Sequence, residues 1–352
     1  MPSRSVRPRA RLYSGTPRNL ARLARVLRDG GLVAAPTETV YGLAANALDP
    51  AACRAIFRAK GRPATDPLIV HLRSARDLAA VAVPNAAALL LAKKFWPGPL
   101  TLVLPKLPVI PAVVSAGLPS VAVRVPAHPL FRRLLALAGV PLAAPSANPF
   151  GYVSPTTADH VRASLGAKID HILDGGPCAV GVESTIVDLR DPAVPVLLRP
   201  GAVTHAQLEA ALGIPVAIRH AAAKEHTAQV APGLLTRHYS PRTPAALHDR
   251  LDPRAVAAAP ATEAWVFVAR SPAAAFAAPA SSSTRARRTA LPKNVHWLDA
   301  RGDLRGAARR LFAVLRDLDA AGYSRLHFER AASTDGLAAA INDRLSRAAA
   351  RT

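Results

Sequence analysis

Between Gly31 and Gly201 short apolar runs recur with turn residues between them, and several carry a polar or charged residue inside the run or at its end. A polar group buried there without a partner costs roughly 1–3 kcal/mol, so the fold must supply each one with a protein or ligand partner. Runs at 31–35, 67–72, 100–104, 121–125, 140–144, 184–189 and 195–198 read as strands, and 51–59, 86–94 and 157–165 have helical spacing. Arg18, Arg22, Arg25 and Arg28 alternate with Leu20, Leu23, Ala24 and Leu27, which predicts an amphipathic first helix with an arginine face. The residues before Leu12 read as disordered.

From Ile214 to Leu247 this pattern lapses, with Pro232-Gly233 and Ser240-Pro241 as breakers. Beyond it, 264–269, 295–298 and 324–329 read as strands, 304–320 and 337–350 as helices, and 279–288 as a flexible loop. The expected organisation is an α/β domain over 12–213, a linker or lid over 214–246 and a smaller α/β domain over 247–352.

The net charge of +22 would suit a polyanionic partner. The excess is overwhelmingly arginine and the small residues are overwhelmingly alanine, a bias that can be carried without function, so weak RNA binding is as far as charge alone leads. No uncharged apolar run reaches the roughly 18–20 residues of a membrane helix, and no signal-peptide core is present, so a soluble, cytosolic chain is expected. Cys53 and Cys178 are too few for a disulfide framework and lack zinc spacing; Cys178 reads as buried filler. The chain has no G-x-x-x-x-G-K-[ST], G-x-G-x-x-G, H-E-x-x-H or G-x-S-x-G, so any nucleotide is held without a common glycine-loop cradle.

The polar residues in question are Thr37, Glu38, Thr39, Lys60, Arg62, His71, Arg124, Ser146 and Asn148. Strand alternation places Arg124 on the face of Ala122 and opposite Val121, Val123 and Val125. Its alternatives are an ion pair with a core carboxylate or a ligand carboxylate or phosphate, and the scarcity of acids nearby favours the ligand. Lys60-Gly-Arg62 closes a helix and suits an anion, although a solvated pair favoured by the helix dipole is the preferred reading of that motif alone. Ser146 and Asn148 form a Ser-x-Asn turn able to present donors to phosphoryl oxygens. The loop 174–185 has glycines for close backbone approach and Ser184 and Thr185 as donors.

Taken in order, P-T-E-T-V-Y-G-L, K-G-R-P followed by P-L-I-V-H, F-W-P-G-P-L-T, V-A-V-R-V-P, A-P-S-A-N and G-V-E-S-T-I-V-D-L resemble the YrdC-like family over about Leu20 to Gly201. Ala231 to Pro241 and Gly336 to Arg347 resemble the family's two-domain members that make threonylcarbamoyl-AMP. The resemblance implies a twisted mixed-sheet catalytic domain with a smaller Rossmann-like C-terminal domain. It implies that L-threonine, bicarbonate and ATP react to threonylcarbamoyl-AMP and pyrophosphate for tRNA modification, with magnesium carried by ATP and a downstream threonylcarbamoyl transferase complex as consumer. It puts Lys60, Arg62, Ser146 and Asn148 around the phosphates and the reacting centre. Thr39, His71, Arg124, Ala144 and Ser184 would hold threonine, while Ser120, Ser154, Arg199, Arg237, His238 and Tyr239 would contact ATP. The competing expectations are a non-catalytic double-stranded RNA or tRNA binder and a carbamoyl transferase.

Overall fold

The helices that begin at Pro17, Pro50, Pro129 and Pro253 start where the sequence supplies both a side-chain acceptor and a proline. A computed structural model describes residues 10–219, 227–270, 292–333 and 336–350. After β1 (Arg11–Ser14), α1 (Pro17–Arg28) has Thr16 as N-cap, Pro17 at its first turn and Leu20, Leu23, Ala24 and Leu27 on its buried stripe. Strands β2 (Val33–Ala35) and β3 (Gly42–Asn46) precede α2 (Pro50–Lys60), which is capped by Asp49. Then come β4 (Ile69–His71), α3 (Ala86–Phe95), β5 (Leu100–Pro105), β6 (Ser120–Arg124), α4 (Pro129–Ala138) and β7 (Leu142–Ala143). The run closes with α5 (Ala158–Leu165), β8 (His171–Asp174), β9 (Thr185–Asp188), β10 (Val196–Arg199), α6 (His205–Leu212) and β11 (Ala217–Ile218).

Contacts divide the chain into two units, Met1–Phe150 with Ser154–Thr236 and Gly151–Val153 with Arg237–Thr352. In the first, the strands form one mixed sheet in the order β1-β8-β2-β3-β7-β4-β6-β5-β9-β10-β11. At its centre β4 runs parallel to β6, with His71 opposite Arg124, and antiparallel to β7. One face carries the main core, where Leu43, Val70, Leu102, Val123 and Val187 meet Ile56, Leu91 and Val161 of the covering helices. The other face carries two separate apolar patches. Under α1 and α4, Val33, Ala44 and Leu142 pack on Leu23, Leu27, Phe131 and Leu134. Farther along, Ile69, Val103, Ala122, Ile186 and Leu198 are covered by Ala231 and Leu234 of the 229–235 segment, whose Gln229 N–H donates to Thr65 O at 2.9 Å.

The second unit contains β12 (Ala245–His248), α7 (Pro253–Ala257), β13 (Glu263–Ala269), β14 (Val295–Asp299), α8 (Leu304–Ala320), β15 (Arg325–Glu329) and α9 (Gly336–Ala349). Its sheet, β12-β15-β13-β14, is parallel throughout. Helix α8 buries Leu311, Phe312 and Leu315, and α9 buries Ile341 and Leu345, the pattern of helices laid on a parallel sheet.

The mixed sheet and the second α/β unit agree with the sequence-based expectation. One local expectation fails: Arg11 is not disordered but pairs with His171 in β1, and Ala10 N–H donates to Gly166 O at 2.8 Å. Edge pairing with β8 orders a stretch whose charge suggested otherwise. Residues 1–9 and the expected loop at 279–288 lie outside the described residues. Among the described residues no helix is long and apolar enough to cross a membrane.

Candidate active site

The expected alternation in β6 holds. Val121, Val123 and Val125 belong to the main core, and Ala122 to the opposite face, so Arg124 projects onto that opposite face with Ile69 and His71 of β4. This is the strip left between the two apolar patches. There His71 and Arg124 lie side by side across β4 and β6, and Arg124 reaches Gly98, Thr39 and Glu38.

Arg124 is buried and reaches three protein partners. Its Nε donates to Gly98 O at 3.2 Å, Nη1 donates to Thr39 Oγ1 at 2.9 Å, and Nη2 lies 2.7 Å from Glu38 Oε1. The carboxylate partner that sequence reading judged too scarce is therefore present, three residues past the end of β2. Thr37 Oγ1 lies 2.8 Å from Thr39 Oγ1 and donates to Val40 O at 2.7 Å, which fixes the loop carrying all three. His71 packs against the Phe131 ring with centroids 5.3 Å apart. Burial, helped by the Arg124 charge, lowers its pKa to about 3, so the imidazole is neutral at physiological pH.

Lys60 and Arg62 come next. Gly61 adopts a left-handed conformation (φ 66°) as the C-cap of α2, and this turn sends both flanking side chains inward. Lys60 Nζ donates to Ser146 O at 2.5 Å and to Asn148 O. Arg62 Nη2 pairs with Asp66 Oδ2 at 2.9 Å, and its Nε and Nη2 donate to Asp66 O and Pro67 O at 2.8 and 2.7 Å. Both cations are buried, at 3% and 8% exposure, so the solvated pair that the isolated motif favours is overturned. Burial and the neighbouring Arg62 charge hold the Lys60 pKa well below its ordinary value, and burial holds that of Asp66 above its own. Ser120 starts β6, four residues from Arg124, so the two mark ends of one strand about 13 Å apart. Its hydroxyl is buried without a hydrogen-bond partner.

The turn holding Ser146 and Asn148 is pinned by Leu43 N–H to Pro145 O and Ala147 N–H to Tyr41 O, both 2.8 Å, while Ala144 N–H donates to Ile69 O at 3.0 Å. On the far side, Ser184 Oγ lies 2.8 Å from Thr101 Oγ1 and accepts from Arg199 Nη2 at 3.1 Å. Arg199 also donates to Ser184 O at 3.0 Å and to Pro232 O at 3.3 Å, tying β10 to the covering segment. Ser154 Oγ donates to Glu183 Oε1 at 2.6 Å. Cys178 is buried and its thiol is pushed up to about 12, which removes it as a nucleophile.

Of the anticipated residues, Arg237, His238 and Tyr239 belong to the second unit. There Tyr239 is buried at φ 61°, meets His238 edge-on with centroids 4.1 Å apart, and lies under the Arg344 guanidinium at 5.5 Å. Sequence reasoning missed Asp66, Thr101 and Glu183. Asp66 gives the one usable signal, an acid four residues after Arg62 in an acid-poor stretch.

Residues 25–201 match the Sua5/YciO/YrdC family, described as "Telomere recombination", and 203–350 match a second family, "Threonylcarbamoyl-AMP synthase, C-terminal domain". The chain belongs to the Sua5/YciO/YrdC family. Within it, the chain is similar to the threonylcarbamoyl-AMP synthase of Pyrococcus abyssi, 51% identical over 221 residues, covering 62% of this chain and 64% of that one. It is also similar to that of Bacillus subtilis, 45% identical over 232 residues, covering 65% and 66%. These alignments thus span somewhat under two thirds of each relative. The crystal structure of P. abyssi Sua5 complexed with L-threonine superposes with TM-score 0.83 and 37% identity over 97% of this chain and 98% of that one.

Proposed function

We propose that the chain is a threonylcarbamoyl-AMP synthase, a nucleotidyltransferase joining L-threonine, bicarbonate and ATP and releasing pyrophosphate. The observation that carries the reading is the burial of four cations in one unit, with Lys60, Arg62 and Arg199 all acting on the buried Asp66 carboxylate and Arg124 paired with Glu38, in a family whose relatives bear that name. Like charges collect in a protein interior at a cost that an anionic ligand offsets. In this reading the β4/β6 strip runs from a phosphate end, with Lys60, Arg62, Ser120, Ser146 and Asn148, to an amino-acid end, with Thr39, His71, Arg124 and Ser184. Ala144 adds main-chain atoms, and Ser154, Arg199 and the Arg237–Tyr239 segment contact ATP.

The threonine amine adds to bicarbonate to give a carbamate, and a carbamate oxygen attacks the α-phosphorus with loss of pyrophosphate. Two anions must approach each other, so the catalytic demand falls on fixed cations and oriented donors rather than on a covalent nucleophile. Neutral His71 serves as a wall of the amino-acid pocket. Magnesium travels on the triphosphate. The product feeds threonylcarbamoyl transfer to tRNA in the cytoplasm, and the arginine excess contributes at most weak RNA affinity. The test is pyrophosphate release from ATP and bicarbonate with L-threonine against L-serine. Threonine is expected to support much faster release, and equal or absent release with both would refute the assignment.

A further inference from the structure

We propose that Glu38 receives the α-ammonium of the amino-acid substrate and takes its proton, an inference that rests on the synthase reading above. The Glu38 side chain is 10% exposed, and its Oε1 stands 2.7 Å from Arg124 Nη2. Neither carboxylate oxygen accepts a hydrogen bond from the protein. A buried carboxylate ordinarily gathers several donors, so this one has acceptor capacity in hand.

Its surroundings do not use that capacity. Arg124, from β6, directs Nε to Gly98 O and Nη1 to Thr39 Oγ1. His128, the N-cap of α4, accepts from Leu130 N–H at 3.3 Å and is held below its usual imidazole value by burial. The Cys178 thiol, on the loop whose Val180 N–H donates to Glu38 O at 2.8 Å, is a weak donor. An α-amino acid carries its carboxylate and ammonium on one carbon. A zwitterion seated with its carboxylate on Arg124 brings its ammonium within reach of a carboxylate already paired to that guanidinium, and both substrate charges are matched.

The chemistry needs such a group because an ammonium has no lone pair. Glu38 takes one proton and becomes a carboxylic acid. The freed lone pair forms the N–C bond to the bicarbonate carbon, and a second amine proton leaves with a bicarbonate hydroxyl as water, giving the carbamate. The proton on Glu38 then passes to solvent, and no redox change occurs.

Glu38→Gln keeps the shape and removes the base. Threonine-dependent pyrophosphate release at neutral pH should fall about 100-fold, in the range of general-base contributions, with the KM for ATP unchanged. The deficit should shrink as pH rises into the amine's own ionisation range, where free amine no longer needs a base. A variant with the wild-type rate, or a deficit that stays constant with pH, overturns the proposal. A second arm uses the wild-type protein and needs no variant to fold. Competition of L-threonine with 2,3-dihydroxybutanoate, which has a hydroxyl in place of the ammonium, should show at least about tenfold weaker binding of the analogue, the loss expected for an unpaired buried charge. Equal binding overturns the proposal. Absence of threonine-dependent release by the wild-type protein would instead sink the synthase reading, and the competition would still decide the role of Glu38.

Discussion

Both units bury arginine, but in opposite ways. In the second unit the buried cations are dispersed and stacked on rings: Arg316 donates to Val153 O and lies 4.9 Å from the Tyr152 ring centre, and Arg344 pairs with Asp343 at 3.0 Å and covers Tyr239. In the first unit buried Lys60, Arg62 and Arg199 act together on Asp66, and buried Arg124 pairs with Glu38. Their carboxylates, Glu38 and Asp66, lie at ion-pair distance yet accept no well-directed hydrogen bond. Dispersed cations with aromatic and main-chain partners are self-sufficient parts of a core. On the proposed reading, the first unit's buried cations with their two under-bonded carboxylates are completed by an anionic ligand.

The sharpest way to break this contrast is at the Arg62–Asp66 pair. Arg62→Ala should lower stability by about 3–5 kcal/mol, because Asp66 is left buried without its counter-ion. The double variant Arg62→Ala/Asp66→Asn should recover most of that stability in urea titration while pyrophosphate release stays low. If release recovers together with stability, Arg62 is structural and the contrast fails. In the second unit, Arg316→Met should cost about 1–3 kcal/mol of unfolding free energy through the lost bond to Val153 O. Its kcat/KM for threonine should stay within about twofold of wild type; a tenfold loss would blur the distinction.

His71 gives a smaller, pH-resolved effect. Its folded pKa, about 3, lies below that of an unfolded histidine. The unfolded state therefore binds the extra proton between those values, and stability that is present above the unfolded pKa is lost as pH falls toward 3. The slope from this residue is roughly 1.4 kcal/mol per pH unit. His71→Asn should reduce the slope of unfolding free energy between pH 6 and 4 by about one proton. An unchanged slope would mean that His71 is reachable by protons in the folded protein.

Legibility in the sequence followed the range of the interaction. Local signals served well: the Asp303-capped α8 spans Leu304–Ala320 as its apolar spacing requires, and the face of Arg124 follows from strand alternation alone. The two-residue β7 falls inside the expected run at 140–144, whereas the two-residue β11 carries too little periodicity to be read, and β1 was hidden by the basic stretch that it ends. The site divides in the same way. Which polar residues needed partners was evident from their apolar flanks. Which partner each would find was not, because Glu38 reaches Arg124 across 86 positions, and Ser184 reaches Thr101 across 83, only once β5, β6 and β9 have paired. The P-A-T-D66-P turn looks like ordinary loop chemistry until Arg62 folds back over it.

The central claim is that the buried cations of the first unit exist to hold anions. It is tested most directly by Lys60→Met, which keeps length and burial but removes the charge that bridges Ser146 O and Asn148 O. Pyrophosphate release with ATP, bicarbonate and L-threonine should fall about 10²–10³-fold, the usual consequence of deleting one fixed transition-state donor. Urea stability should hold steady or rise, since the buried ammonium is no longer desolvated. Release at the wild-type rate, or a loss of activity that merely tracks unfolding, would contradict the account.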